Sequence, residues 1–198
     1  MRTRKREEMK CWLGGDEVLK HISRLYGSEA TGAIRGYTPL YCFGSFTEVY
    51  LVKDQLVEVV EAVLRSGRIP YFAGMYGGRL RPTKPGFIPS HMLVERVYEF
   101  LGHPVRAVKA LEQGIKVALY GRDLLAESVA LCFEPVEFGE VISVVGPDGY
   151  VYAVGLSKVS SCEEVAMLRK KDVVVRTVFD LGWYLRGGTT PREPKYKL

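Results

Sequence analysis

The hydrophobic pattern of this 198-residue sequence changes near residue 104, and that change constrains the fold more than any other feature. Before it, apolar residues recur at helical spacing. After it, apolar segments are short, follow one another closely and are separated by glycine, proline and acidic residues. We therefore expect two domains, at 1–104 and 105–188, followed by a flexible basic tail at 189–198.

The first domain combines helices and strands. Three apolar stripes with helical spacing end at Gly27, Gly67 and Gly102, and the third begins behind Ser90 as its N-cap. Between the first two stripes, LYCFGSFTEVYLV (40–52) predicts two strands around a Gly-Ser turn. This mixture is typical of an α/β layer domain.

The second domain is predicted to be mostly strand. Six β-segments are expected, at 105–110, 115–120, 128–133, 139–146, 150–156 and 172–178. Short helices are expected at 121–127 and 161–169, the second opened by a capping box at Ser161 and Glu164. Pro147-Asp148-Gly149 supplies the residues of a tight hairpin turn. The predicted fold class is α+β, with the α/β layer domain followed by a small, mostly-β pseudo-barrel.

Neither domain shows a pattern typical of catalysis or metal binding. His21, His91 and His103 have no second ligand at a metal-binding spacing, and both a nucleotide-binding glycine loop and a serine nucleophile elbow are missing. We therefore expect no enzyme activity, no cofactor and no metal. The sequence has no apolar run that could span a bilayer and no signal-peptide pattern behind its first ten residues, so we expect a cytoplasmic protein.

Cys11, Cys42, Cys132 and Cys162 lie at least 30 residues apart, without the local spacing of a structural zinc site. We interpret them as buried small hydrophobic residues. The sequence has no asparagine and only two glutamines. This is either the amide depletion of a thermophile or the chance composition of one chain. A thermophile's cytosolic protein can carry a disulfide, and the sequence leaves that pairing open.

Basic residues of the first domain cluster between Glu61 and Glu95, with no acid among them. The cluster comprises Arg65, Arg68, Arg79, Arg81 and Lys84, and its interleaved aromatic residues are Tyr71, Phe72, Tyr76 and Phe87. Cationic side chains bind phosphates and aromatic rings stack bases, so the segment favours RNA. The equally supported alternative places the aromatic rings in the core and only the basic residues outside.

The charge of the second domain is polarised along the sequence. Six acids and no Lys or Arg lie from Asp123 to Asp148. Positive charge follows later, at Lys158, Arg169, Lys170, Lys171, Arg176 and Arg186. If distant strands meet in the barrel, one face would be basic and the other acidic. The consecutive cations at 169–171 would otherwise interact with the negative end of a helix dipole.

Arg122 is a separate candidate. At the start of the helix predicted at 121–127, its guanidinium would bind a phosphate at the positive end of the helix. The alternative is that Asp123 pairs with it or caps the helix, and the residues alone leave both open.

Three segments of the second domain resemble the PUA domain, an RNA-binding module. They are Leu-Tyr-Gly-x-x-Leu-Leu at 119–125, GEVISVVGPDGYVYAVG at 139–155 and VVVRTVFDLGWYLRGG at 173–188. The first and last are most similar to the Nip-seven-like family of large ribosomal subunit biogenesis, which carries an α/β domain before its PUA domain.

The resemblance implies RNA binding without catalysis, through the short helix, the strand after it and the closing segment. Arg122 and the cluster at 169–176 map onto those elements. It also implies pre-ribosomal RNA in an archaeal cell as the target, with ribosome-assembly or RNA-processing proteins as partners.

Two other functions stay open. An RNA-modification enzyme, or an accessory subunit, that holds its substrate with the PUA-like domain predicts a deep pocket with an ionisable pair in residues 1–104. A protein–protein adaptor on a ribonucleoprotein particle predicts an exposed apolar patch near 71–87 and weak salt dependence.

Overall fold

The computed structural model describes residues 10–44, 46–70 and 73–182. The chain divides into two compact units, the first ending at Val105 and the second beginning at Arg106. Each unit has its own sheet and its own hydrophobic core. The basic tail predicted at 189–198 lies outside the described residues.

The first unit is built on a five-stranded antiparallel sheet whose strands are neighbours in sequence order. They are β1 (Lys10–Leu13), β2 (Tyr37–Phe43), β3 (Thr47–Lys53), β4 (Met75–Leu80) and β5 (Phe87–Pro89). The hairpin predicted at 40–52 is the β2–β3 pair, in which Leu40 lies opposite Tyr50 and Cys42 opposite Glu48.

All three helices predicted for the first unit are present: α1 (Glu17–Tyr26), α2 (Val57–Arg65) and α3 (His91–Leu101). Helix α3 begins as predicted, because the Ser90 hydroxyl accepts a hydrogen bond from the Leu93 backbone N–H. The apolar stripe that the sequence predicts for α2, formed by Leu56, Val59, Val60, Val63 and Leu64, was too wide. Only Val60 of this helix is buried, and Val59 is 61% exposed, since α2 packs on the sheet along a narrow line.

The second unit contains a six-stranded mixed sheet that forms a half-barrel. Its strands are β6 (Ala107–Ala110), β7 (Leu124–Leu125), β8 (Val129–Phe133), β9 (Val141–Val145), β10 (Val151–Ser157) and β11 (Val173–Asp180). Their order across the sheet is β7-β11-β10-β9-β6-β8, and only β6 and β9 pair in parallel. Within residues 106–182, the α-helices are α4 (Glu112–Leu119) and α5 (Cys162–Met167).

The hairpin and the capping box predicted for the second unit are both present. In the turn between β9 and β10, the Gly146 backbone N–H donates to the Tyr150 carbonyl at 2.9 Å. At the start of α5, the Ser161 hydroxyl accepts from the Glu164 backbone N–H. Local turn and cap chemistry was therefore sufficient to locate these two features.

Two element predictions for the second unit were wrong. The strand predicted at 115–120 is part of helix α4, and the helix predicted at 121–127 is replaced by β7 and a short 3-10 turn. In α4, Gly114, Ile115 and Ala118 are buried at helical spacing. A short apolar run fits a strand and a buried helix equally well, so the choice depended on the packing partner.

The four cysteines, interpreted as small hydrophobic residues with their pairing left open, form two disulfides. A disulfide joins Cys11 of β1 to Cys42 of β2, and a second joins Cys132 of β8 to Cys162 of α5. The register of β1 on β2 places the first two cysteines directly opposite each other, with their Cα atoms 4.1 Å apart. The pairing of the cysteines could not be predicted from their spacing, because residues that lie opposite each other in a sheet can be far apart in the chain.

Helices in the described part of the chain are too short or too polar for any of them to cross a membrane.

Candidate nucleic-acid interface

At the β7 edge of the second sheet, Arg122 lies beside a cationic segment that is distant in sequence. The chain at 122–127 runs antiparallel beside 170–177. Backbone N–H groups of Ala126 and Glu127 donate to the carbonyls of Asp172 at 2.9 Å and Lys170 at 3.1 Å. We call the cationic residues gathered here the basic edge: Arg122, Arg169, Lys170, Lys171 and Arg176.

Arg122 belongs to this edge for a reason that differs from the prediction. It does not begin a helix but follows the end of α4, and its backbone N–H donates to the Val117 carbonyl. A helix C-terminus carries partial negative charge, so the predicted phosphate site at a helix N-terminus was wrong. Arg122 is instead held beside β11, where the Thr177 hydroxyl donates to its carbonyl at 2.9 Å.

Asp123 takes part in the same contact. Its carboxylate accepts a hydrogen bond from the Thr177 backbone N–H at 3.2 Å, which extends the β7–β11 pairing by a side-chain bond. The exposed Arg122 side chain thus stands on an anchored backbone.

Arg169, Lys170 and Lys171 occupy the turn between α5 and β11, and all three are exposed. Helix α5 ends at Met167, before these residues. The Arg169 backbone N–H donates to the Asp172 carboxylate, and the Asp172 backbone N–H donates to the Arg169 carbonyl, both at 2.9 Å. These reciprocal bonds fix the turn and present three cationic side chains from a short segment.

Lys158 lies at the same end of the sheet. Its backbone N–H donates to the Val174 carbonyl at 2.9 Å, near the start of β11. Its ammonium nitrogen lies 5.3 Å from the centroid of the Phe138 ring, within the range of a cation–π contact. Phe138 was not singled out from the sequence; its only signal was an aromatic residue beside Gly139 in an otherwise acidic run. Arg186, also predicted for this surface, lies outside the described residues.

Most acids of the run from Asp123 to Asp148 contact other groups of the same unit. Glu134 accepts from two backbone N–H groups, and Glu137 pairs with the buried Arg106 at 3.0 Å. Asp148 accepts from a backbone N–H and a tyrosine hydroxyl in its hairpin turn. These carboxylates are thus engaged by hydrogen-bond donors and one guanidinium, and the acidic face stays a prediction.

The basic segment of the first unit is arranged differently. Arg79 pairs with Glu48 through a nitrogen–oxygen distance of 2.7 Å and lies 4.5 Å from the centroid of the Phe46 ring. Tyr76 donates its hydroxyl to the same carboxylate, and burial, followed by the charge of Glu48, raises the pKa of Tyr76. Phe87 is fully buried. Phe87 therefore lies in the core, as the alternative interpretation of this segment predicted. The Arg79 guanidinium is already paired with a carboxylate.

Arg81 and Lys84 lie in the loop between β4 and β5. The Arg81 backbone N–H donates to the Gly86 carbonyl at 2.7 Å, and the Lys84 side chain is exposed. Tyr71 and Phe72 lie outside the described residues. The structure thus brings the second-unit candidates together around β11, whereas those of the first unit lie on a strand and in a loop.

Ionisable side chains are dispersed over the part of the chain that the structure describes. Across residues 10–44, 46–70 and 73–182, no three His, Cys, Asp or Glu side chains are grouped closely enough to hold a metal ion. An open surface pocket of the first unit includes Lys53 and Asp54, and the Asp54 carboxylate accepts from the Thr38 hydroxyl at 2.9 Å.

Comparison with known proteins supports the assignment of the second unit. Residues 106–189 match the family model of the UPF0113 PUA domain. A UPF0113 protein from Aeropyrum pernix is 28% identical over 175 residues, which cover 87% of this chain and 88% of the relative.

Solved structures show the same fold over most of the chain. A hypothetical protein from the archaeon Pyrococcus horikoshii is similar with a TM-score of 0.62 at 14% identity, covering 86% of this chain and 94% of that one. A conserved PUA domain protein from Thermoplasma acidophilum has a TM-score of 0.58 at 16% identity, covering 90% and 99%. The half-barrel of the second unit therefore has a PUA-like fold, and its sequence matches the family model of the UPF0113 PUA domain.

Proposed function

We propose that this protein binds RNA through the basic edge of its PUA domain and serves, without catalysis or a cofactor, as a factor in ribosome biogenesis. Its target in this proposal is pre-ribosomal RNA of the large subunit in the cytoplasm of an archaeal cell. Its partners are ribosome-assembly or RNA-processing proteins, as the resemblance to the Nip-seven-like family implies.

The observation that carries the proposal is the pairing of 122–127 with 170–177. It gathers five cationic residues from two parts of the sequence onto one edge of the sheet. Glu127 is exposed in the same stretch, whereas the carboxylates of Asp172 and Asp123 accept backbone N–H groups. The long cationic side chains therefore reach further into solvent than these two aspartates do, which suits contact with phosphates.

The mechanism follows from this charge distribution. Each guanidinium or ammonium that meets a phosphate releases condensed counterions, so affinity falls as salt concentration rises. Arginine can also contact two phosphate oxygens at once, which favours Arg122 and Arg176 as orienting contacts. Such contacts position an RNA on the domain without reading its sequence.

The test is a titration of labelled single-stranded and hairpin RNAs at several salt concentrations. A variant with Arg169, Lys170, Lys171 and Arg176 changed to alanine should bind more weakly. Its plot of log affinity against log salt should also be shallower, by about 0.7 for each phosphate of a single strand that the variant no longer neutralises. Circular dichroism would confirm that the variant is folded.

A control of equal charge change replaces Lys20, Arg35, Lys53 and Arg65, four exposed residues of the first unit, by alanine. This control should retain most of the affinity and the slope. Equal losses in both variants would show that net charge rather than the basic edge governs binding. Wild-type protein that does not bind RNA at low salt would contradict the proposal itself.

A further inference from the structure

The loop before β9 carries an exposed aromatic ring at the end of the basic edge. Phe138 is 63% exposed, so its ring can be reached from solvent. Its position is fixed by the backbone: the Gly139 N–H donates to the Ser157 carbonyl, and the Ser157 N–H donates to the Glu140 carbonyl, both at 2.9 Å. The ring is thus presented from an extension of the β9–β10 ladder rather than from a loose loop.

Lys158 lies over this ring and links it to the basic edge. Its ammonium nitrogen is 5.3 Å from the ring centroid, and its backbone is bonded to Val174. Lys171 is three residues before Val174, so the chain between them spans no more than about 10 Å. An aromatic ring with a cation beside it, on a backbone bonded to the strand that follows the cations at 169–171, is the combination with which proteins bind single strands.

The charges around Phe138 favour a nucleic acid over an acidic or apolar partner. Glu137 is the nearest acid in sequence, and its carboxylate pairs with Arg106 at 3.0 Å. Glu140 is buried. Glu137 is exposed but already paired with a guanidinium, whereas Lys158 is the cation in contact with the ring, and a ligand that stacks there meets it directly.

We infer that Phe138 and Lys158 form a stacking position for one unpaired base, next to the basic edge, so that the domain prefers single-stranded RNA to a duplex. This inference rests on the proposed function and adds the class of RNA. In a duplex the base faces are already stacked, and an aromatic ring cannot reach them without unpairing. In a single strand every base offers a face, so the contact would tolerate different sequences.

The experiment compares Phe138→Leu and wild type on a 12-nucleotide oligouridylate and on a 12-base-pair RNA duplex (lengths of about one site). The variant should bind the single strand about 5- to 100-fold more weakly, as expected when one base is no longer stacked on a ring. Its salt slope should not change, because no charge is removed. Binding to the duplex should match that of wild type, and Phe138→Trp should retain the affinity for the single strand.

Tyr150→Leu is the matched control, because Tyr150 is 60% exposed on the same unit but follows Asp148 in a hairpin turn. It should leave single-strand binding unchanged. The inference is overturned if Phe138→Leu binds the single strand like wild type, if it weakens duplex binding equally, or if Tyr150→Leu has the same effect. In each of these cases the proposed function still stands when the basic-edge variant loses affinity, whereas wild-type protein that binds no RNA overturns both.

Discussion

At the scale of single residues, the Ser90 hydroxyl makes two hydrogen bonds that connect helix α3 to strand β4. It is buried, accepts from the Leu93 N–H as the N-cap of α3, and donates to the Tyr76 carbonyl of β4 at 2.6 Å. The cap was predictable from a serine behind a proline before an apolar stripe. The bond to β4 was not, because it depends on which strand lies beneath the helix end.

Changing Ser90 to alanine should lower the free energy of unfolding by about 1–3 kcal/mol, since a buried N–H and a carbonyl lose their shared partner. Urea denaturation followed by circular dichroism measures this change. Ser66→Ala is the comparison, because the Ser66 hydroxyl is exposed and bonds only to a carbonyl in its own helix end. Its effect should stay within about 0.5 kcal/mol, and equal losses in the two variants would contradict the role given to Ser90.

At the scale of elements, helix α4 depends on a close approach to the chain that follows it. A Cβ atom at Gly114 would lie 2.8 Å from the Ser128 Cβ and 2.9 Å from a methyl carbon of Leu124. The helix therefore rests directly on β7 and the 3-10 turn after it, the segment that pairs with β11 in the basic edge. Glycine is present here for contact and not for flexibility, since it costs helix propensity.

Gly114→Ala should therefore destabilise the protein by about 1–2 kcal/mol, even though alanine favours a helix by about 1 kcal/mol. Adding Ser128→Gly removes the nearest obstructing atom and should restore part of the loss. Gln113→Ala, at an exposed neighbouring position, should be nearly neutral. A Gly114→Ala protein as stable as wild type in chemical denaturation would show that α4 can shift away from β7.

Helix α4 also illustrates which parts of the fold could be predicted from the sequence and which could not. Helices α1 and α3 and the β9–β10 hairpin were predictable, because a cap, a turn or a long apolar stripe identifies each locally. The run IKVALY in α4 was predicted as a strand, because its residues suit either element until Gly114 meets Leu124 and Ser128. The cysteine pairs and the place of Arg122 beside β11 likewise depend on the register of strands far apart in sequence.

At the scale of the whole molecule, each unit carries one disulfide of its own. Cys11–Cys42 closes a segment of 31 residues in the first unit, and Cys132–Cys162 closes one of 30 in the second. By the chain-entropy account, a cross-link of this span stabilises a fold by about 3–4 kcal/mol. The second one ties α5, which precedes the cations at 169–171, to the edge strand β8.

Replacing Cys132 and Cys162 by serine should speed amide hydrogen exchange in α5 and β8. Exchange in the first unit should stay as it is in wild type, because the other disulfide remains. Hydrogen-exchange mass spectrometry resolves these segments. The double replacement of Cys11 and Cys42 is the reciprocal control, with faster exchange expected in β1 and β2. Unchanged exchange in α5 after the first replacement would show that the helix is held by packing alone.

The separation of the two halves of the basic edge has a consequence for biosynthesis. Arg122 and its segment leave the translating ribosome about 50 residues before their partner strand β11. Until β11 emerges, β7 has no neighbour and the cations at 169–171 have no fixed position. A nascent chain therefore carries no assembled basic edge, and the RNA contact proposed for this edge requires that β11 has been synthesised.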